Sequence, residues 1–251
     1  MNGLLTLWWG DPALAGWYRA DLLHGADRPR AETARSARAE LDWRVSRAVL
    51  QQALAAGAGA DAAGHAHVEA ASRAAPEAAG FAMSAAPAVS ISHSRGHALV
   101  ATAPAGWRIG VDLEAIRPRD TARLAPWCCA EDEARALASC ETDAERLRAF
   151  YALWTIKESF VKAAGLAFPA DMRTVGLAGA GRPWTGWRLR APGVGWSAWS
   201  AVIDDVWLAS VVWRRSDAPV QPALTAPPDA PLWRTARGAA EPRIVPAGRW
   251  P

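Results

Sequence analysis

The sequence predicts a mixed α/β protein, of the α+β class, made of two similar halves. Three observations carry that reading. The chain of 251 residues can bury one large core or two smaller ones. Patterns of strand, helix and paired strands occur in the same order on either side of Ala105-Gly106. No sequence repeat accompanies them, so the duplication rests on element order alone. The halves run over 1–105 and 106–215. From Ser216 onward Pro, Ala and Arg dominate, which predicts a poorly ordered tail over 216–251.

Residues 4–9 read as a short strand, and Glu32 to Ala56 as a long helix with Leu41, Val45, Ala48, Val49 and Leu54 on its stripe. The Ala/Gly-rich stretch from Gly57 to Ala88 reads as loop or weak helix. Strands follow at 88–92 and 97–102, around a turn at Arg95-Gly96. Trp107 to Glu114 is the clearest strand. Ile109, Val111 and Leu113 share one of its faces, and Gly110, Asp112 and Glu114 the other. Helices are predicted over 131–139 and 143–164, with Gly165 as the stop. Strands at 173–178, 184–190, 197–203 and 206–214 complete the second half, the last two joined at Asp204-Asp205.

Composition narrows the function classes. Alanine supplies much of the hydrophobic content, and 15 tryptophans must fill the volume it leaves. The net charge of +3 suits an anionic ligand or an acidic partner without requiring nucleic acid. The start lacks a basic leader, its apolar run is too short for a signal sequence, and no stretch is long enough to span a bilayer. These features predict a cytoplasmic protein. Three cysteines, two of them the neighbours Cys128 and Cys129, suggest buried thiols and no disulfide framework or zinc site.

Among 28 basic residues only Lys157 and Lys162 are lysines. In so arginine-rich a chain, a surviving lysine marks a place where a compact ammonium on a flexible stem is needed. Both flank Glu158, and Trp154, Glu158, Val161, Lys162 and Gly165 share one helix face. An ordinary surface ion pair has the same spacing; phosphate oxygens bound by point charges are the other reading. Asp112 and Glu114 project from one strand face and repel each other unless a cation lies between them. With Glu158 they would form an oxygen-ligand site of the Mg²⁺ type, and solvated acids at a strand end are the alternative. Ser92-His93-Ser94 follows a strand, and by itself His93 could be a base, a phosphate donor or a turn residue. His65 and His67 stand in an Ala/Gly loop and read as exposed.

Together, Ile91-Ser-His-Ser94, Gly110-Val-Asp-Leu-Glu114 and Trp154-Thr-Ile-Lys-Glu-Ser-Phe-Val-Lys162 resemble the three markers of the 4′-phosphopantetheinyl transferase family, in their order and separation. The likeness is to its larger single-chain members, the surfactin-synthetase-activating type. It implies a pseudo-dimer of two α/β halves with coenzyme A in the cleft between them. It implies transfer of the 4′-phosphopantetheine arm to a serine of an apo acyl or peptidyl carrier protein, releasing 3′,5′-ADP. Asp112, Glu114 and Glu158 would hold Mg²⁺, Lys157 and Lys162 would meet the phosphates, and His93 with Ser92 would contact coenzyme A. Glu158 and Lys162 are the implied catalytic residues, Glu158 taking the serine proton. Arg38 would grip the 3′-phosphate, with Arg30, Arg35 and Arg44 as competitors. Arg117, Arg123, Leu124 and Trp127, in the segment after the acidic strand, would hold the carrier.

One departure stands out: the family's Gly-(Lys/Arg)-Pro turn before Ser-His-Ser is replaced by Ala79 to Pro87, without a cation. An inactive relative that binds carrier or coenzyme A is the competing reading. A nucleic-acid binder is disfavoured by the scattered arginines. The expected protein is a monomer with no nucleic-acid or membrane partner, and its client carrier is not legible from the sequence.

Overall fold

A computed structural model describes residues 4–23, 27–33, 35–58, 87–166, 171–215 and 230–250. His65, His67 and nearly all of the Ala79–Pro87 segment lie outside the described residues. The chain builds two four-stranded sheets. The first contains β1 (Thr6–Gly10), β2 (Ala88–Ser94), β3 (His97–Ala103) and β9 (Leu232–Thr235), in the order β2-β3-β1-β9. The second contains β4 (Arg108–Ala115), β7 (Trp196–Ile203), β8 (Trp207–Arg214) and β10 (Ile244–Trp250), in the order β10-β7-β8-β4. A small pair, β5 (Gly176–Ala178) and β6 (Arg188–Arg190), stands apart.

Strand alternation dictates the layers. Leu5, Leu7, Trp9, Leu99 and Ala101 of the first sheet meet Ile109, Val111, Leu113, Trp199, Ala209 and Val211 of the second in one buried core. On the outer face of the first sheet, Trp8, Ala98 and Val100 receive Val45, Val49 and Ala53 of α2 (Ala37–Ala58). On the outer face of the second, Ala198 and Val212 receive Ile156 and Phe160 of α5 (Asp143–Ala164). The order is therefore helix, sheet, sheet, helix. Both helices have 22 residues.

The element order strand, long helix, hairpin occurs twice, as β1, α2 and β2–β3 and then as β4, α5 and β7–β8. Both hairpins turn on two successive residues of positive φ, Arg95-Gly96 and Asp204-Asp205, the twist that antiparallel ribbons favour. The short helices α1 (Asp27–Ala31), α3 (Thr121–Cys128) and α4 (Glu131–Ala138) fill the connections. Helix α3 lies in the Arg/Pro-rich stretch after β4, which the sequence reads as a connection without a helix. It forms because Asp120 caps it, accepting from the Arg123 amide at 3.0 Å.

Residues 230–250 differ from the poorly ordered tail predicted for 216–251. β9 pairs in parallel with β1, and β10 pairs antiparallel with β7. Trp250 is buried in the α5-side core. These strands are edge additions to sheets made elsewhere, and Pro246 sits at a bulge on such an edge, where a missing N–H is tolerated. The β9 partner, β1, lies at the opposite end of the sequence, so no local pattern announces the pairing.

Candidate functional site

The site grows from the edge of the second sheet, where β4 lies against α5 on one side and β2 on another. Gly110 permits the first approach. A Cβ there would lie 1.9 Å from the Ser159 carbonyl oxygen and 2.6 Å from the Ala163 nitrogen, so no larger residue fits beneath the helix. Thr155 Oγ1 and Ser200 Oγ each lie 2.6 Å from Ser210 Oγ, and Ser159 Oγ donates to the Ser210 carbonyl at 3.0 Å. This buried hydroxyl ladder fixes the rotation of α5 on the sheet. From Ala149 to Ala163 the helix is buried except at Trp154, Glu158 and Lys162. The stripe predicted from helical spacing is thus the partly open one.

Lys162 reaches from that stripe to β4, donating to Asp112 Oδ1 at 2.8 Å and to the Val111 carbonyl at 2.9 Å. On the other side, β2 meets β4 through serine hydroxyls. Ser90 Oγ accepts from the Val111 amide at 3.0 Å, and Ser92 Oγ accepts from the Leu113 amide at 3.2 Å. These bonds satisfy edge amides that would otherwise be buried and unpaired. Ser92 Oγ also donates to Asp112 Oδ1 at 2.9 Å. Asp112 is only 6 % exposed, and its second oxygen, Oδ2, is buried without a hydrogen-bond partner among the described residues.

Glu114 and Glu158 are half-buried near this centre. Both hold their protons more tightly than an ordinary glutamate: burial is the larger cause, and the Asp112 charge adds to it. Lys162 opposes the shift in both, and Arg117 and Arg119 oppose it in Glu114. The three predicted acids therefore share one electrostatic neighbourhood. As they stand, however, no three His, Cys, Asp or Glu side chains among the described residues are gathered tightly enough to hold a metal ion.

His93 extends from the far end of β2 over α2, with Nδ1 3.9 Å from Asp42 Oδ2. Its pKa is lowered, chiefly by burial, with Arg47 and Lys162 contributing and Asp42 opposing. Sequence reading missed Asp42, which also accepts from the Gly96 amide and so anchors the hairpin turn to α2. Arg38 is exposed one helical turn before Asp42, on the same face. Among its competitors, Arg35 donates to backbone carbonyls at the end of α1 and Arg44 is paired with Glu40 at 2.7 Å; Arg30 is exposed.

One predicted coenzyme A contact needs correction, and a second has its hydroxyl engaged within the protein. Lys157 is not positioned to meet phosphate. It is 0 % exposed, and its ammonium is shared among Glu133 Oε2 at 2.8 Å, the Met172 carbonyl at 2.7 Å and the Val175 carbonyl at 2.5 Å. All three donors are used. Adjacent residues on a helix point about 100° apart, so Lys157 faces inward while Glu158 faces the site. Ser92 likewise has its hydroxyl engaged by Asp112 and Leu113 within a buried junction. Sequence reading missed Glu133 as well, since nothing local distinguishes it from other helix-start acids.

Of the predicted carrier contacts, Arg123 and Trp127 are exposed on α3, Trp127 at 57 %. Trp127 stacks on Trp154 with ring centroids 6.4 Å apart. Leu124 packs partly against the core, and Arg117 is half-buried, its carbonyl accepting from Tyr151 Oη at 3.3 Å. Cys128, Cys129 and Cys140 are buried free thiols, as sequence reading expects for the first two. No described helix is long and apolar enough to cross a membrane.

Residues 108–212 match the family model of the 4′-phosphopantetheinyl transferase superfamily. A protein of Synechocystis sp. (strain ATCC 27184 / PCC 6803 / Kazusa), named "Putative 4'-phosphopantetheinyl transferase slr0495", is 34% identical over 90 residues. That alignment covers 36% of this chain and 36% of the relative, so the chain spans little more than a third of the relative's length. The stretch that matches the family model contains Gly110, Asp112 and Glu114 of β4, Glu158 and Lys162 of α5, and the β7–β8 hairpin that carries Ser210. Over residues 108–212, the chain is similar to the 4′-phosphopantetheinyl transferase superfamily.

Proposed function

We propose that this protein transfers the 4′-phosphopantetheine arm of coenzyme A to a serine of an apo acyl or peptidyl carrier protein, releasing 3′,5′-ADP. The observation that carries the reading is the convergence on Asp112. Ser92 of the first half and Lys162 of α5 both bind one oxygen of this β4 carboxylate, so three separated segments meet at one point. In this reading the halves form a pseudo-dimer, and coenzyme A lies in a cleft between His93 and the β4–α5 acids.

By its chemistry, though the three carboxylates are not gathered around one point here, the donor set suits a hard divalent cation. Asp112 Oδ2 is a buried carboxylate oxygen without a partner among the described residues, and two nearby glutamates are raised by burial and by the charge beside them. Asp112, Glu114 and Glu158 would hold Mg²⁺, which would neutralise pyrophosphate charge when bound. The chain's own groups do the rest. Lys162, partly open to solvent, has a third donor for a phosphate oxygen. His93 and Arg38 face the 3′-phosphate end. Glu158 takes the proton from the carrier serine as its oxygen attacks the phosphorus nearer the pantetheine. The raised pKa strengthens Glu158 as a base. The 3′,5′-ADP leaves as an anion, and fixed cations stabilise the charge that develops on it.

Incubation with coenzyme A, Mg²⁺ and an apo carrier should add one phosphopantetheine mass to the carrier, and an unmodified carrier would favour the inactive-relative reading. Glu158→Gln should cut transfer by at least about 100-fold. The same variant should be more stable than wild type without metal. A glutamate whose folded pKa is raised keeps in the fold a proton that the unfolded chain releases. Its ionisation therefore costs stability as pH rises through the folded value. The Gln variant's advantage should be absent below the ordinary glutamate range, near about 4.3, and complete above the raised value. Thermal melts across the range from acid to neutral pH, run without metal, read this directly; a constant difference would remove the burial argument.

For the carrier surface, Arg117→Glu combined with Arg123→Glu should raise the carrier KM about tenfold or more, through lost steering. The coenzyme A KM should not move. Equal effects on both would count against α3 as the docking helix.

A further inference from the structure

The proposed reaction leaves unexplained why Ser92, expected to contact coenzyme A, turns its hydroxyl into a protein junction. On this reading of the site, we infer that Ser92 is a positioning residue for Asp112: its hydroxyl, with Lys162, holds Oδ1 so that Oδ2 is the oxygen presented to a divalent cation.

The geometry is specific. Ser92 Oγ lies 2.9 Å from Asp112 Oδ1 and accepts from the Leu113 amide at 3.2 Å. Accepting that amide commits a lone pair of the hydroxyl, so its proton is directed to the carboxylate. Lys162 Nζ lies 2.8 Å from the same oxygen. One carboxylate oxygen thus has two donors, while its twin is buried with none among the described residues. An uncompensated buried carboxylate oxygen is costly, and the asymmetry needs a reason. A cation at Oδ2 supplies one, because hydrogen bonds to a ligand's second oxygen fix its orientation toward a metal. The arrangement also crosses between the halves. Ser92 belongs to β2 of the first sheet and Asp112 to β4 of the second, so relative movement of the sheets would release the carboxylate.

Ser90 provides an internal control. It sits two residues earlier on the same buried face of β2 and accepts in the same way from a β4 amide, that of Val111 at 3.0 Å, but among the described residues its hydroxyl reaches no carboxylate. Any effect of weakening the β2–β4 junction alone should appear in Ser90→Ala too.

The test measures the Mg²⁺ concentration that gives half of the maximal rise in melting temperature, using metal alone and no coenzyme A. Ser92→Ala should need about 10- to 100-fold more Mg²⁺ than wild type. Ser90→Ala should need the wild-type amount. Ser92→Cys, a weaker donor of similar shape, should fall between and carries the comparison if the alanine variant does not fold. At saturating Mg²⁺ the coenzyme A KM of these variants should match wild type.

A wild-type Mg²⁺ requirement in both Ser92 variants would overturn the inference, as would equal losses in Ser90→Ala and Ser92→Ala. So would a raised coenzyme A KM at saturating Mg²⁺, which would return Ser92 to direct ligand contact. If wild type shows no Mg²⁺-dependent rise and transfers without divalent cation, the cation site itself fails, and this inference with it. If wild type shows the rise but transfers nothing, the proposed reaction fails while the role of Ser92 stands.

Discussion

A chain ended after Arg215 should fail to fold cooperatively, although the matched family region would be intact. Removing β9 and β10 exposes an edge of each sheet and takes Trp250 out of the α5-side core. The hydrogen bonds that would go with these strands are equally specific. The Gln52 side chain donates to the Arg237 carbonyl at 3.1 Å and accepts from the Arg237 amide at 2.7 Å, clamping α2 to the tail. Asp11 Oδ2 accepts from the Ala240 amide at 2.8 Å. Arg243 answers at the second sheet, its amide donating to Asp204 Oδ1 at 2.7 Å and its guanidinium pairing with Asp205.

The tail therefore passes from one sheet to the other and fastens both. Loss of that strap should free the sheets to separate along their shared core, and the long exposed edges would favour aggregation. Trp250→Ala isolates one component. It should cost about 3–5 kcal/mol from the cavity left in the core, read from denaturant unfolding. A truncated chain with a sharp, wild-type-like thermal transition would show that the tail is dispensable.

Lys157→Ala should be the most destabilising substitution in the motif helix, at about 3–5 kcal/mol. The number follows from what the lysine leaves behind. Glu133 is 0 % exposed, and besides Lys157 it accepts from the Ala130 amide at 2.7 Å and the Leu177 amide at 2.9 Å. Those two amides do not neutralise its charge. The pair ties α4, α5 and the turn at Met172–Thr174 together, and Gly176 makes room for it. With φ of +125°, that glycine brings the backbone to where a Cβ would lie 2.5 Å from Glu133 Oε1 and 2.7 Å from Lys157 Nζ.

Lys157→Met with Glu133→Leu should be far less harmful than either single change, since an apolar pair leaves no stranded charge. Double-mutant thermodynamics separates this from phosphate binding. A phosphate contact would instead give Lys157→Met near-normal stability with a raised coenzyme A KM, and Glu133→Leu would not compensate for it.

Much of the fold was legible because its elements are locally consistent. The α5 stripe, the alternation in β4 and the two hairpins announced themselves through spacing and turn residues, and they fall within a residue or two of expectation. Helix α3 and strands β9 and β10 did not. The first lies in an Arg/Pro-rich stretch that reads as a connection, and the others are edge strands that no local pattern marks. The central acids were equally visible, since two carboxylates on one strand face need only period-two geometry.

What the sequence determined by itself was therefore the identity and facing of the chemical groups: Asp112 and Glu114 on one side of a strand, and Glu158 and Lys162 on one stripe of a helix. These follow from fixed backbone periods, which any local segment obeys. Tertiary structure alone decided which of those groups are free to act. Two lysines five residues apart are equivalent in sequence, yet Glu133 and two carbonyls close around Lys157 while Lys162 remains partly open beside Asp112. Serines two residues apart are equivalent too, yet of the pair only Ser92 lies within reach of a carboxylate across the sheet junction. Burial and partner choice are set by segments distant along the chain, whose meeting no local pattern records.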